Sequence, residues 1–260
     1  MNNPILISTI AYDGYDLDTA FKGIAGGGAK YVELAYSEAY TAAVTEDSFS
    51  KDAAEDVLKS LAAAGLSCLC LAAHTDMSLA SSVEKFKLRI DFAKNLGADY
   101  IVSTAGPIAN RAQFLENIKV LGDYAGEAGV TICLENMGDG QPNIIDSAAP
   151  AVELIKEINR DSVKINYDFA NLLPHLGEQL RPEDDYKVAL PETGYIHLKD
   201  AAKYENGNWY FPAIGEGMVD FKTILPALAA HPKPIPLSLE FSLRINRKPD
   251  ATTIRADDAV

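Results

Sequence analysis

Cysteine is scarce in this chain. There are three, Cys68, Cys70 and Cys133, and all lie inside apolar runs. An odd set of thiols in apolar surroundings argues against a disulfide framework and for a reducing compartment. Cys68-Leu69-Cys70 has the wrong spacing for a zinc knuckle and suits alternate packed positions of one strand. Positive charge is scarce too: 23 Lys and Arg face 37 Asp and Glu, leaving a formal net charge of −14. A field of that sign repels phosphate backbones, so nucleic acid is not an expected partner. No apolar run approaches the ~20 residues of a membrane span, so a membrane is not expected either. Met1-Asn2-Asn3-Pro4 lacks a basic segment followed by a long apolar one, and the expected location is the cytoplasm. No shift in composition divides the chain, so residues 1–260 are read as one domain. With 260 residues and 48% of them apolar, that domain can bury a substantial core.

What is present is an alternation. Short apolar runs suited to strands, such as Ile5 to Ile10, Tyr31 to Leu34 and Leu66 to Ala73, alternate with amphipathic stretches such as Lys51 to Ala64, Ser81 to Leu96 and Arg111 to Ala128. Gly65, Gly97 and Gly129 close three of the helices, and Gly26-Gly27-Gly28 reads as a C-terminal cap because it follows a helix rather than a strand. Residues Asn171 to Leu190 are less regular, and a loop with a short helix is expected there. Eight strands alternate with helices, the last running from Ile235 to Phe241. An open doubly wound sheet should offer Gly-x-Gly-x-x-Gly after the first strand, and Ala11-Tyr12-Asp13-Gly14 does not. The pattern predicts an α/β fold, a (β/α)8 TIM barrel. Only Arg244 to Val260 follow the last strand, so the eighth helix is expected to be short or incomplete.

Four of the strands end in the same way. Val130-Thr131-Ile132-Cys133-Leu134 runs into Glu135, and Val163-Lys164-Ile165-Asn166-Tyr167 into Asp168. Tyr195-Ile196 runs into His197 and on to Lys199-Asp200, and Ile235-Pro236-Leu237-Ser238-Leu239 into Glu240. The separations are roughly thirty to forty residues, about one strand-helix unit. In a barrel, side chains at the carboxyl ends of the strands converge on one mouth. Glu135, Asp168, His197 and Glu240 would therefore meet. A single acid at a strand end is usually a helix cap or a solvated loop residue, but four ligand-type residues at four consecutive strand ends are harder to explain in that way. Two Glu, one Asp and a neutral His suit a divalent ion, Mn²⁺ foremost and otherwise Mg²⁺, Co²⁺ or Zn²⁺. The ion would also relieve the repulsion among three carboxylates.

From Val32-Glu33-Leu34 to Leu239-Glu240 the chain resembles the xylose isomerase-like barrel superfamily of sugar isomerases and epimerases. The segments that carry the resemblance are Leu134-Glu135-Asn136, Asp168 with Asn171, Ile196-His197-Leu198-Lys199-Asp200, Gly215-Glu216-Gly217 with Val219-Asp220-Phe221, and Glu240. That superfamily includes ketose 3-epimerases, hydroxypyruvate isomerase, inosose dehydratase, 3-dehydroshikimate dehydratase and endonuclease IV. The resemblance implies that Glu135, Asp168, His197 and Glu240 bind the metal and that Glu135 and Glu240 are also the catalytic acid-base pair. Removing a proton beside a carbonyl needs a base within reach and charge stabilisation for the enediolate, and a divalent ion supplies the second. There is one departure. Ketose 3-epimerases typically place a substrate-binding His three residues after the sixth-strand Asp, where this chain has Asn171, with His175 four residues further on.

Substrate-binding candidates are His74, Asn171, His175, Lys199, Trp209, Glu216 and Arg244. Each has a structural alternative: a salt bridge, a loop anchor or a surface position. Glu33 reads as a salt-bridge partner inside the barrel mouth. Tyr12, Tyr36, Phe169 and Phe211 could wall a sugar pocket or pack in the core. His231 belongs to a turn at the opposite end of the barrel. The expected function is that of a divalent-metal-dependent isomerase or epimerase of a small keto-sugar or related polyhydroxy ketone. The expected partners are a carbohydrate substrate, with room for homo-oligomerisation. The alternative is a lyase on the same scaffold that eliminates water beta to a ketone. An endonuclease of the endonuclease IV type would need a histidine-rich three-metal cluster, and the chain has four histidines in all. A catalytically inert barrel is argued against by the intact ligand set.

Overall fold

Eight apolar runs of three to ten residues form the parallel strands of a closed barrel: Ile5–Ser8, Tyr31–Ala35, Ser67–Asp76, Tyr100–Thr104, Thr131–Glu135, Val163–Asp168, Thr193–Leu198 and Leu237–Leu239. The computed structural model describes residues 3–37 and 44–241. Each strand pairs with its neighbours in sequence, and the first closes the ring on the last through Ile5↔Leu237 and Ile7↔Leu239. Small apolar side chains and one phenol, among them Leu6, Cys70, Ala72, Val102, Cys133 and Tyr195, fill the barrel interior. A second and larger apolar layer packs the outer strand faces against the helices.

The helices start and stop where the side chains dictate. Asp16 and Ser50 accept hydrogen bonds from the amides of Thr19 and Ala53, at 2.7 and 3.2 Å, and so cap Leu17–Gly26 and Lys51–Ala64. Gly65, Gly97 and Gly129 end their helices at φ of 73°, 72° and 77°, in the left-handed region that a side chain disfavours. The triple glycine is a helix end, as its position after a helix implies. All three cysteines are buried and free. Burial pushes the Cys68 thiol up to about 12, so it stays protonated and unreactive.

Three features differ from the sequence reading. The third strand is ten residues long and carries His74, Thr75 and Asp76 within it, with a register shift before the Asp76↔Thr104 pair. The segment after the sixth strand, where a loop with a short helix was expected, holds two helices, Leu172–Leu176 and Pro182–Ala189. Pro182 opens the second, Glu183, Asp184 and Asp185 occupy its first turn, and Tyr186 and Ala189 are buried. The long segment after the seventh strand contains a small antiparallel hairpin, Ala202–Lys203 with Trp209–Tyr210. The eighth helix expected after Arg244 lies outside the described residues.

Candidate active site

Glu135 and Asp168 are the last residues of their strands, His197 is the last but one of Thr193–Leu198, and Glu240 follows Leu237–Leu239 directly. His197 stands level with Asp168 on one side and Ser238 on the other. The Glu240 amide continues the ladder, donating to Leu198 O at 3.1 Å. Strand register therefore aims the four side chains at one point, and one ligand atom from each lies within 4.8 Å of the others. His197 Nδ1 is at the centre, 3.5 Å from Glu135 Oε1, 3.5 Å from Glu240 Oε2 and 3.9 Å from Asp168 Oδ2.

The surrounding bonds hold these groups in orientation. Asp168 Oδ1 accepts from the amides of Ala170 and Asn171 at 2.8 and 3.0 Å, which leaves Oδ2 for the cluster. Asn136 clasps the end of the sixth strand, accepting from Asp168 N and donating to Asp168 O. Asn171 Nδ2 donates to Glu135 Oε1 at 2.9 Å. Lys199 Nζ donates to Glu240 Oε2, Asp168 Oδ2 and Asn171 Oδ1. Burial pushes the Asp168 carboxyl up to about 7 against the pull of Lys199. Burial also opposes charge on Glu240, but Lys199 and His197 together outweigh it and hold that carboxyl at about 2. The Lys199 ammonium is raised in turn, with burial overcome by Asp168 and Glu240.

The residues present fit a divalent ion. The donor set is three carboxylate oxygens and one imidazole nitrogen, a combination that hard and intermediate divalent ions accept. The Glu135 oxygen that faces the other donors is Oε1, 3.5 Å from His197 Nδ1, while Oε2 points away from them, buried without a hydrogen-bond partner. The ligands would be Glu135, Asp168, His197 and Glu240.

Above the cluster opens a cavity of about 430 Å³, lined by Glu135, Glu240, His74, Asn171, Lys199 and Phe211 among others. His74 Nε2 lies 3.6 Å from Glu135 Oε2, and the Lys199 ammonium rests over the Phe211 ring at 4.9 Å. Asp168 and His197 are fully buried beneath. Of the remaining substrate-site candidates, His175, Trp209 and Glu216 are not in the lining. His175 is turned away on helix Leu172–Leu176, where its Nδ1 accepts from Gly140 N. Trp209 sits in the hairpin with the Lys203 ammonium 4.5 Å above its ring. Glu216 is exposed. Arg244 falls outside the described residues. Tyr12, Tyr36 and Phe169 take their core alternative: Tyr12 and Phe169 are buried, and Tyr36 stacks on Phe92.

Asp200, rather than Glu216, organises the glycine loop. Its two carboxylate oxygens accept from the amides of Ala201, Gly215, Gly217 and Val219. A Cβ on Gly217 would overlap that carboxylate, and Gly215 has φ +92°. Several polar wall residues were not anticipated, Asp76, Thr104 and Asp139 among them. Asp76 and Thr104 line the cavity from the third and fourth strands, and Asp139 from the loop after the fifth. Asp76 ends an apolar run as Glu135 does and was open to the same reading, whereas Asp139 carries no spacing signal.

Known proteins share this architecture. Over 221 residues the chain is 24% identical to L-ribulose 3-epimerase of Methylomonas sp. (strain DH-1), covering 80% of this chain and 72% of that protein. The crystal structure of D-allulose 3-epimerase from Methylomonas sp. superposes with a TM-score of 0.74 at 19% identity, over 99% of this chain and 94% of the other. That of a probable 3-DHS dehydratase involved in petrobactin synthesis from Bacillus anthracis gives 0.71 at 16%, over 91% and 92%. At these identities the structural likeness speaks for the fold. The family described as Xylose isomerase-like TIM barrel matches residues 22–257. By that match, and with the closed eight-stranded barrel that agrees with it, the chain belongs to the xylose isomerase-like TIM barrel family.

Proposed function

We propose that this protein is an epimerase or isomerase of a small keto-sugar or related polyhydroxy ketone, acting by proton transfer at the carbon beside the carbonyl. The observation that carries the reading is the pair Glu135 and Glu240. These carboxylates come from the fifth and eighth strands, open onto one cavity, and each lie 3.5 Å from the His197 nitrogen between them. A divalent ion, when bound by Glu135, Asp168, His197 and Glu240, would supply positive charge against the negative charge that develops on the carbonyl oxygen.

The chain's own groups do the rest. Glu135 Oε2 carries no hydrogen bond, so it is free to take a proton, while Asn171 fixes the other oxygen of the same carboxylate. Glu240, after taking up a proton from solvent, would donate it from the far side, to the same carbon for epimerisation or its neighbour for isomerisation, and the proton taken by Glu135 would pass to solvent. Lys199 is positioned to hold a substrate oxyanion, its charge kept in place by Asp168 and Glu240. Asn171 stands where ketose 3-epimerases typically carry His, and its amide is engaged by Glu135, Asn136 and Lys199, which suits it to orienting the base and the ammonium. The relatives named as epimerases of ribulose and allulose support a ketose substrate.

One observation favours a second reading. His74 faces the cavity 3.6 Å from Glu135 Oε2, and an imidazole there could protonate a departing hydroxyl, the extra step of a lyase. The likeness to a probable dehydratase is in line with this. Incubation of metal-loaded protein with ketoses and cyclic polyhydroxy ketones in D₂O separates the two. Deuterium at the carbon alpha to the carbonyl without loss of water is the result expected for an epimerase or isomerase. Accumulation of an absorbing enone would establish the lyase instead, and no exchange with any metal or ketone tested would overturn both.

A further inference from the structure

Beneath the metal-ligand candidates lies a carboxylate that the proton-transfer scheme does not use. Glu33 is the middle residue of the second strand, level with Ser8 and Cys70 of the adjacent strands, and only 1% exposed. A carboxylate that deep is costly unless it is paired. Its Oε2 accepts from Tyr195 OH at 2.9 Å and lies 2.9 Å from His197 Nε2. Tyr195 also meets the His197 ring edge-on, 5.8 Å between centroids. The imidazole is thus held on one edge by Glu33, while its other edge faces Glu135, Asp168 and Glu240 and has the Asn166 Nδ2 amide 3.2 Å from Nδ1, where that amide donates to a lone pair.

We infer that Glu33 is a positioning residue for the metal centre: it keeps the proton of His197 on Nε2 and so makes Nδ1 the nitrogen that presents a lone pair to the ion. The 2.9 Å contact needs a proton between its two atoms, and since Glu33 Oε2 already accepts from Tyr195 OH, that proton belongs on Nε2. Without Glu33, three carboxylates at 3.5–3.9 Å would favour the proton on Nδ1, and a protonated nitrogen binds no metal. Glu33 also fixes the ring plane, through Tyr195 as well as directly, and its charge makes the ligand more basic. This inference rests on the metal site of the proposed function.

The test is calorimetric titration of metal-free protein with Mn²⁺, for the wild type and for Glu33→Gln and Tyr195→Phe. The expected result is a loss of ~10–100-fold in affinity for Glu33→Gln, the usual cost of removing the partner of a ligating histidine. Tyr195→Phe, which leaves the Glu33–His197 contact in place, should change affinity far less. A tautomer measurement on wild-type protein needs no variant that might misfold. With ¹⁵N-histidine and the diamagnetic ion Mg²⁺ or Zn²⁺, His197 should show its proton on Nε2. Glu33→Gln that binds Mn²⁺ as tightly as the wild type while folded, or a proton on Nδ1 in the loaded wild type, would overturn the inference and leave the metal site standing. Wild-type protein that takes up no divalent ion in either experiment would remove the metal site itself, and the inference with it.

Discussion

The Lys199 ammonium lies 2.9 Å from Glu240 Oε2 and 3.3 Å from Asp168 Oδ2, so a single cation bridges two of the three carboxylates at the barrel mouth. It neutralises part of a charge cluster that would otherwise oppose folding, and it stands where a substrate oxygen would need a partner. Lys199→Met should therefore destabilise the metal-free protein by about 3 kcal/mol, the low end for breaking a buried ion pair. Denaturant unfolding in the presence of a chelator measures this. Adding Mn²⁺ should narrow the gap between variant and wild type, because the ion takes over the neutralising role. A gap that is the same with and without Mn²⁺ would mean that no ion binds among these carboxylates.

Asp168 offers one oxygen to the cluster and has the other tied to the amides of Ala170 and Asn171. An ion that binds only the folded site should raise the melting temperature, by the equivalent of ~2.7 kcal/mol at a hundredfold excess over Kd. Asp168→Asn keeps the shape but removes the anionic ligand, so more than half of the Mn²⁺-induced shift should disappear in a thermal melt. A full shift in that variant would take Asp168 out of the ligand set.

The sequence made the barrel and the ligand cluster legible for the same reason: strand periodicity and strand ends are local signals. Glu135, Asp168, His197 and Glu240 each terminate an apolar run, and parallel strands in register must bring such termini together. Loop geometry is not local in this sense. His175 is four residues past the Asn171 that lines the cavity, yet one turn of helix carries it to Gly140. The acidic stretch Glu183 to Asp185 looks like solvated loop until Pro182 makes it the first turn of a helix. Glu33 lies in the middle of a strand, and only closure of the barrel reveals that its neighbours are Tyr195 and His197, more than 160 residues away.

In the glycine loop the carboxylate that anchors the backbone lies outside the Gly215-Glu216-Gly217 segment. Glu216 is exposed, while Asp200 is buried and accepts four backbone hydrogen bonds. Asp200→Ala should strand the amides of Gly215, Gly217 and Val219 and cost about 3 kcal/mol. Asp200→Asn should recover little, since its NH₂ would face amide donors on one side or the other. Glu216→Ala should be close to neutral. Limited proteolysis between residues 201 and 219 is the check: faster cleavage is expected for both Asp200 variants and not for Glu216→Ala. Equal cleavage in all three would mean that Asp200 does not hold the loop.

Glu135 and Glu240 are treated differently by their surroundings, and that difference predicts an order of events. Both carboxyls are held low against burial, Glu135 chiefly by His197 and Glu240 by Lys199 and His197, but Glu240 Oε2 is also engaged by the Lys199 ammonium at 2.9 Å in the absence of substrate. Glu135 has one oxygen fixed by Asn171 and the other without a hydrogen bond, the better arrangement for removing a proton. Glu135→Gln should therefore abolish exchange of the alpha proton with solvent, and turnover with it. Glu240→Gln should lose turnover while retaining part of the exchange, because the first step survives. Each loss in kcat should be at least the ~10²–10⁴-fold of general acid-base catalysis, since the same residues would also bind the ion. Affinity for a ground-state analogue should fall less, because a base acts mainly in the transition state. Turnover and wash-out of a deuterated substrate, followed in parallel, measure the two quantities. Exchange that survives in Glu135→Gln but not in Glu240→Gln would reverse the assignment. Exchange that survives in both would move the base to another cavity residue, with His74 the nearest titratable neighbour of Glu135.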